Sequence, residues 1–217
     1  RTGYACHKKL CCQIWTCKVF NGKVDRLSGC RGNKRVPDVP GDAEMVRKAK
    51  GGVVKVIDTI VIGCDNAAVD LKNVLVDYLK KNNVNVEDVG CFSKDDNTYY
   101  PNIAAKVCKR IIDSNYKKKG VLVCGTGIGM SIAANKFKGI RASLCHDNFS
   151  AERSVLSNNS NVLCMGERVI GHELAKKILG EWIKLTFKDG PSTPKIEEIS
   201  RIEAENMKEI QEIQHNA

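Results

Sequence analysis

Long apolar runs and aromatic side chains are both scarce in this chain. No uninterrupted apolar segment among its 217 residues approaches the ~20 residues that a membrane-spanning helix needs. Aromatic residues amount to only 6%, yet apolar residues as a whole reach 42%, which is enough to build a packed core. The composition therefore argues against an integral membrane protein, a fibrous protein and a fully disordered chain.

Acidic residues are scarce in the first quarter of the sequence. Residues 1–55 carry 13 basic and 4 acidic side chains, whereas the remainder carries 22 and 21. The net charge of +10 thus belongs to the N-terminal segment, and the near-neutral remainder gives little support to nucleic-acid binding. Residues 1–52, without a helical or strand period, are predicted to form a poorly ordered basic extension or to be absent from the mature protein. A cytoplasmic location is expected, with organelle targeting left open.

Close cysteine pairs of the kind that bind zinc are also lacking. The chain has 11 cysteines, but no two of them are separated by two residues, so a zinc site has weak support. The last six are spread singly and mostly lie inside apolar segments. This spacing is typical of a reduced intracellular protein with buried thiols and not of a disulfide framework.

Apolar strands and amphipathic helices alternate from Val53 onward. Strands are predicted at residues 53–64, 85–89, 120–124, 140–145 and 161–165, with helices beginning near Leu71, Pro101, Ile128 (running to Phe137), Phe149 and Leu174. Such alternation requires right-handed crossovers, so residues 53–190 are predicted to form an α/β domain. Its core would be a parallel, five-stranded, Rossmann-like sheet with helices on both faces. Residues 191–217 predict a C-terminal helix that docks either on a partner subunit or on its own domain.

Ligands of such sheets bind beyond the carboxyl ends of the strands. In this sequence the rule selects four short segments, which are Asp65-Asn66, Cys124 to Gly129, His146-Asp147 and Gly166 to Arg168. Asp65 and Asn66 also fit a second interpretation, in which they cap the following helix. His146 is either a general acid that works near neutral pH or a solvated side chain at a strand end.

The most informative segment is the turn Cys124-Gly-Thr-Gly-Ile-Gly129. Its glycines permit positive φ angles and close approach, so successive N–H groups can form an anion-binding concavity in which a thiolate is favoured. Two other interpretations stay open. The turn could bind a dinucleotide, although the fingerprint for that is G-x-G-x-x-G, or Cys124 could be an ordinary small buried residue.

Six blocks of sequence resemble the ribose/galactose isomerase family, in particular its type B ribose-5-phosphate isomerases. They are Gly63-Cys-Asp65, Tyr100-Pro101, Cys124 to Lys136, Gly139 to Ala142, Asn158 to Val162 and Gly166-Glu-Arg168, in that order. The resemblance covers roughly residues 56–205. It implies interconversion of ribose 5-phosphate and ribulose 5-phosphate, without a metal or an organic cofactor. It also implies a homodimer or homotetramer whose active sites are completed across the dimer interface.

The resemblance assigns roles by position. Cys124 would be the base that moves a proton between C1 and C2, with Thr126 assisting. Substrate contacts would come from Asp65, Asn66, Tyr100, Gly125, Gly127, Ile128, Gly129, Asn158, Arg168 and Lys195, of which the loop residues 125–129 would hold the enediolate oxygens.

Four positions depart from the family's pattern. Asn66 stands where the family usually has His, and Ser157 stands where it has the His that opens the furanose ring. Pro191 and Lys195 replace two arginines. Three interpretations follow: a working isomerase in which His146 assists ring opening, an isomerase fold with an altered substrate or feeble activity, or a non-catalytic protein that binds phosphosugars or other proteins.

Overall fold

A computed structural model of the chain describes the backbone of residues 59–215 and side chains as far as residue 206. The expectations for the basic extension at residues 1–52 and for the first part of the 53–64 strand fall outside the described residues.

Five parallel strands form one sheet in the order β2-β1-β3-β5-β4. The strands are β1 (Thr59–Cys64), β2 (Asn85–Asp88), β3 (Lys119–Cys124), β4 (Ala142–Leu144) and β5 (Val162–Gly166). This confirms the predicted α/β fold and its five-stranded parallel sheet. Strand β4 is shorter than the predicted 140–145 because it lies at the edge and pairs only with β5.

Six α-helices lie within the described residues 59–215. They are α1 (Val69–Lys81), α2 (Tyr100–Asp113), α3 (Ile128–Ala134), α4 (Asn148–Leu156), α5 (His172–Trp182) and α6 (Thr193–His215). Helices α1 and α4 both pack against α5, whereas α2 packs against α3, so the helices form two layers on the two faces. Helix α3 ends before the predicted Phe137. Its last turn is closed by Asn135, whose side chain exchanges two hydrogen bonds with the backbone of Ala142, at 2.8 and 2.9 Å.

The core is built from strands that are apolar on both faces. The central residues of β1 and β3 are fully buried (Ile60, Val61, Ile62, Val121, Leu122, Val123). Continuous apolar runs of this kind are expected when helices cover both sides of a parallel sheet. Helix α1 completes the core with a stripe at helical spacing, formed by Leu71, Leu75 and Leu79.

The C-terminal helix α6 contacts its own domain along its first half. Ile196 is buried, and the Glu203 carboxylate accepts a hydrogen bond from the Gly139 amide at 3.0 Å. Docking of this helix on a second subunit stays a prediction. Within the described part of the chain, no helix combines the length and the apolar character that crossing a bilayer requires.

Lys72 is fully buried in α1, beneath the loop that follows β2. Its ammonium donates to Asp88 Oδ2 at 2.7 Å and to the Cys91 carbonyl at 3.0 Å. Because Lys72→Met would leave a partly buried carboxylate without its partner, we expect the free energy of unfolding to fall by about 3 kcal/mol. Urea denaturation measures this loss. Lys80→Met, on the exposed side of the same helix, is the matched control and should change stability by less than about 0.5 kcal/mol; equal losses in both variants would contradict the prediction.

Candidate active site

The carboxyl ends of β1 and β3 lie side by side. Cys64 is in register with Val123, and the Asp65 amide donates to the Val123 carbonyl at 3.3 Å. The chain therefore brings Asp65 next to Cys124, at the edge of the sheet where ligands of such folds bind.

Cys124 lies directly beneath the glycine-rich loop. Its side chain is 6% exposed, and its Sγ accepts a hydrogen bond from the Gly127 amide at 3.0 Å. Gly127 adopts a φ of +79°, a left-handed conformation that turns this amide inward at the start of α3. An N–H group aimed at sulfur is placed to stabilise negative charge that develops there during a reaction. Thr126 lies exposed at the outer surface of the loop, where its Oγ1 accepts from the Ile128 amide at 3.4 Å.

The turn after β5 is hydrogen-bonded to the first residues of the loop. The Glu167 amide donates to the Cys124 carbonyl at 2.9 Å, and the Arg168 amide donates to the Gly125 carbonyl at 3.0 Å. The Arg168 side chain lies over Gly125, where an added Cβ would be 3.5 Å from the guanidinium carbon. An exposed cation therefore lies beside the first glycine of the loop, well placed for an anionic substrate group.

Asp65 has two roles in the geometry. Its Oδ1 accepts a hydrogen bond from the Ala67 amide at 3.1 Å, which caps the short helical turn Asn66–Ala68 as the capping interpretation predicts. Burial raises the pKa of the Asp65 carboxyl, while the capping amide and the positive charge of Arg168 oppose that rise. Asp65 thus lies within the electrostatic field of Arg168, beside the loop.

Tyr100 packs its ring directly against the loop. A Cβ on Gly129 would lie 2.7 Å from the Cε2 atom of Tyr100, so the glycine leaves room for the ring in this position. Tyr100 is nevertheless 42% exposed. The ring therefore lies beside the start of α3, partly open to solvent.

Three of the residues singled out in the sequence lie elsewhere in the fold. Helix α4 runs from the carboxyl edge of the sheet back towards its amino edge, so Ser157 and Asn158, which follow it, lie far from Cys124 in the same chain. Asn158 lines a groove of about 720 Å³ between the β4 edge and α6. Lys195 is exposed in the first turn of α6.

His146 is held by a backbone contact. Its Nε2 accepts a hydrogen bond from the Gly166 amide at 2.9 Å. Burial lowers the pKa of His146 below the usual 6.5, although the neighbouring Asp147 carboxylate partly opposes this. The imidazole is therefore neutral near pH 7, with its proton on Nδ1.

Glu167 is a site residue that sequence reasoning missed. Its Oε2 accepts from the Leu71 amide at 3.2 Å, in the first turn of α1, a helix whose own N-cap residue, Ala68, makes no side-chain cap. Glu167 thereby ties the Arg168 turn to α1. The block Gly166-Glu-Arg168 was a signal for this segment, but only the arginine was given a role.

Comparisons with known proteins agree with this geometry. Residues 60–199 match the model of the Ribose/Galactose Isomerase family. The chain is 47% identical over 145 residues to D-erythrulose-4-phosphate isomerase of Pectobacterium atrosepticum, covering 67% of this chain and 95% of the relative. It is 42% identical over 147 residues to ribose-5-P isomerase B of Listeria innocua, covering 68% and 98%. A solved structure, ribose-5-phosphate isomerase B of Mycoplasma genitalium with bound ribulose-5-phosphate, superposes with a TM-score of 0.65 at 34% identity, covering 68% and 97%.

Proposed function

We propose, from the premise that this chain belongs to the ribose/galactose isomerase family, that it interconverts ribose 5-phosphate and ribulose 5-phosphate through an enediolate. The family relation makes the protein an enzyme, a sugar-phosphate isomerase. The observation that carries the finer proposal is the 3.0 Å contact from the Gly127 amide to Cys124 Sγ, inside a turn of glycine amides.

The proposed chemistry moves one proton between adjacent carbons. The Cys124 thiolate removes a proton from the carbon beside the substrate carbonyl, and the electron pair flows onto the carbonyl oxygen to give the enediolate. The thiol then returns the proton to the former carbonyl carbon, while the hydroxyl proton of the adjacent carbon passes to the former carbonyl oxygen, so no atom is gained or lost. A positioned base of this kind contributes typically 10²–10⁴-fold to the rate.

Amide groups of the loop are proposed as the donors that stabilise this intermediate. Amide groups held by the fold stabilise an oxygen anion without having to reorganise during the reaction, and one such donor is worth about 10²–10³ in rate. The exposed hydroxyl of Thr126 adds a further donor at the outer surface of the loop. Arg168, beside Gly125, would neutralise negative charge on the substrate.

We further propose that a second copy of the chain supplies Ser157 and Asn158 to the site. Within one chain these residues follow α4 at the amino edge of the sheet, whereas Cys124 lies at the carboxyl edge. The assignment by family resemblance therefore needs another subunit to bring the two groups together.

D-erythrulose 4-phosphate is the second candidate substrate, and two observations favour it. The Pectobacterium relative that acts on it shares 47% identity with this chain. In addition, Ser157 occupies the position of the ring-opening His. A four-carbon sugar whose C4 oxygen carries phosphate cannot close a furanose ring, so its isomerisation needs no ring-opening acid. Ribulose 5-phosphate is likewise open-chain, whereas ribose 5-phosphate is mostly cyclic.

Turnover of the three sugar phosphates by the purified enzyme tests the proposal. We expect kcat/KM to be lower for cyclic ribose 5-phosphate than for the two open-chain ketoses. Ser157→His should raise kcat/KM for ribose 5-phosphate about tenfold or more, because a positioned acid would then assist ring opening. It should leave D-erythrulose 4-phosphate unchanged.

Ser150→His, on the exposed surface of α4, the helix that Ser157 follows, is the matched control. A variant at Ser157 that accelerates all three substrates equally would contradict the role of the ring. Absence of turnover with every substrate, together with tight binding of any of them, would instead favour the non-catalytic phosphosugar-binding interpretation.

A further inference from the structure

We infer that His146 is a positioning residue. By accepting the amide hydrogen of Gly166, it holds in place the end of β5 that packs against the Cys124 loop. The inference rests on the proposed function, in which that loop stabilises the thiolate and the enediolate. Within the described residues, His146 makes no hydrogen bond to Cys124 Sγ or to the loop, so it acts through Gly166.

The hydrogen bond to the imidazole continues the pairing between β4 and β5 beyond its last main-chain bond. The Cys145 amide donates to the Cys164 carbonyl at 3.0 Å, which is a main-chain bond between the segment after β4 and β5. Two residues further along β5, the Gly166 amide donates to His146 Nε2 at 2.9 Å. A side chain thus fixes the end of β5, at the residue that is in register with Cys124 on β3.

The end of β5 lies in direct backbone contact with the loop. A Cβ on Gly166 would lie 2.5 Å from the carbonyl carbon of Thr126, and a Cβ on Gly127 would lie 2.8 Å from that of Met165. Two backbones at this separation have no side chain between them to absorb a displacement. A shift of Gly166 therefore moves Thr126 and Gly127, whose amide donates to Cys124 Sγ.

Only the neutral imidazole can hold Gly166. Protonation would place an N–H group on Nε2, facing the amide hydrogen it now accepts. Burial lowers the pKa of His146, so the accepting form is present at pH 6.5 and above, and it is lost as pH falls through the lowered pKa. The titratable and charged groups near the imidazole are Asp147 beside it in sequence, Glu167 and Arg168 after Gly166, and the thiols of Cys145 and Cys164.

Two variants of His146 and one control test the inference. Gln offers an oxygen that accepts at the distance of Nε2 but does not titrate, whereas Ala offers nothing. The two quantities to measure as a function of pH are kcat and the rate at which iodoacetamide alkylates Cys124, which peptide mass spectrometry detects. His146→Ala should lower the alkylation rate and kcat about tenfold at pH 7.5. His146→Gln should keep both quantities within about threefold of the unaltered enzyme. It should also lose the decline at acid pH that titration of His146 causes in the unaltered enzyme. His172→Ala, exposed at the start of α5, should change neither.

Each alternative outcome has a distinct meaning. Unchanged Cys124 alkylation in His146→Ala overturns the inference, even if kcat falls, because the residue would then act in the chemistry itself. A Gln variant as impaired as the Ala variant overturns the accepting role. Should His146→Ala fail to fold, ¹⁵N spectra of labelled histidine decide, since a protonated Nε2 at pH 7 overturns the inference. Alkylation needs no sugar, so lack of isomerase activity in the unaltered protein would refute the proposed function and leave this test readable.

Discussion

Cys124→Ala is expected to lower kcat by about 10²–10⁴ for whichever sugar phosphate the enzyme prefers, with little change in substrate affinity. The variant removes the sulfur that accepts a hydrogen bond from the Gly127 amide at 3.0 Å. That sulfur is the group proposed to carry the proton. Substrate affinity should persist because Arg168, Asp65 and the loop amides stay in place. Steady-state kinetics of both reaction directions, with equilibrium binding measured separately, check the expectation.

Cys108→Ala is the matched control for that variant. Cys108 is another fully buried thiol, on the side of α2 that faces the core, and its Sγ lies 3.9 Å from the Ala134 carbonyl. Its removal should cost stability and leave kcat within about twofold, because it leaves a small cavity beside Ala134, at the end of α3, and removes no group that is proposed to carry the proton. Equal losses of kcat in the two variants would mean that packing, and not proton transfer, explains the effect of Cys124→Ala.

The elements of the fold could be predicted because their signals are local. Strands β1 and β3 are uninterrupted apolar runs ending in polar residues, and the helices show apolar residues at helical spacing. The rule that ligands bind beyond the carboxyl ends of parallel strands groups Asp65 with Cys124 and Arg168 from the sequence alone. The structure does place these three at one edge of the sheet.

The remaining features depend on which elements become neighbours, and no local pattern encodes that choice. The insertion of β5 between β3 and β4 is one example, and it puts Gly166 between Cys124 and His146. The contact from Glu167 to the start of α1 spans 96 residues of sequence. Family resemblance named Ser157 and Asn158, but only the direction of α4 shows that they lie at the opposite edge of the sheet.

Gly127→Ala is expected to lower kcat by about 10²–10³ and to destabilise the fold by about 1–3 kcal/mol. The residue adopts a φ of +79°, which strains any side chain, and an added Cβ would lie 2.4 Å from Leu144 Cδ1 and 2.8 Å from the Met165 carbonyl carbon. The leucine side chain can rotate away, but the backbone of β5 cannot. The loop must therefore move, and the amide that now donates to Cys124 Sγ moves with it.

Gly171→Ala provides the matched control, because it adds the same methyl group at a φ of −74° with no atom within 4 Å of the new Cβ. It should leave kcat unchanged and lower the unfolding free energy by no more than about 1 kcal/mol, because Gly171 is the N-cap of α5 and Ala is less favourable there. The double variant Gly127→Ala/Leu144→Ala separates the two contacts of the added methyl group. Relief of the leucine contact leaves the Met165 backbone in place. The kcat of the double variant should therefore exceed that of Gly127→Ala by less than about threefold. Full recovery would show that the leucine side chain alone confines the loop, and that the contact between the loop and β5 contributes nothing to catalysis.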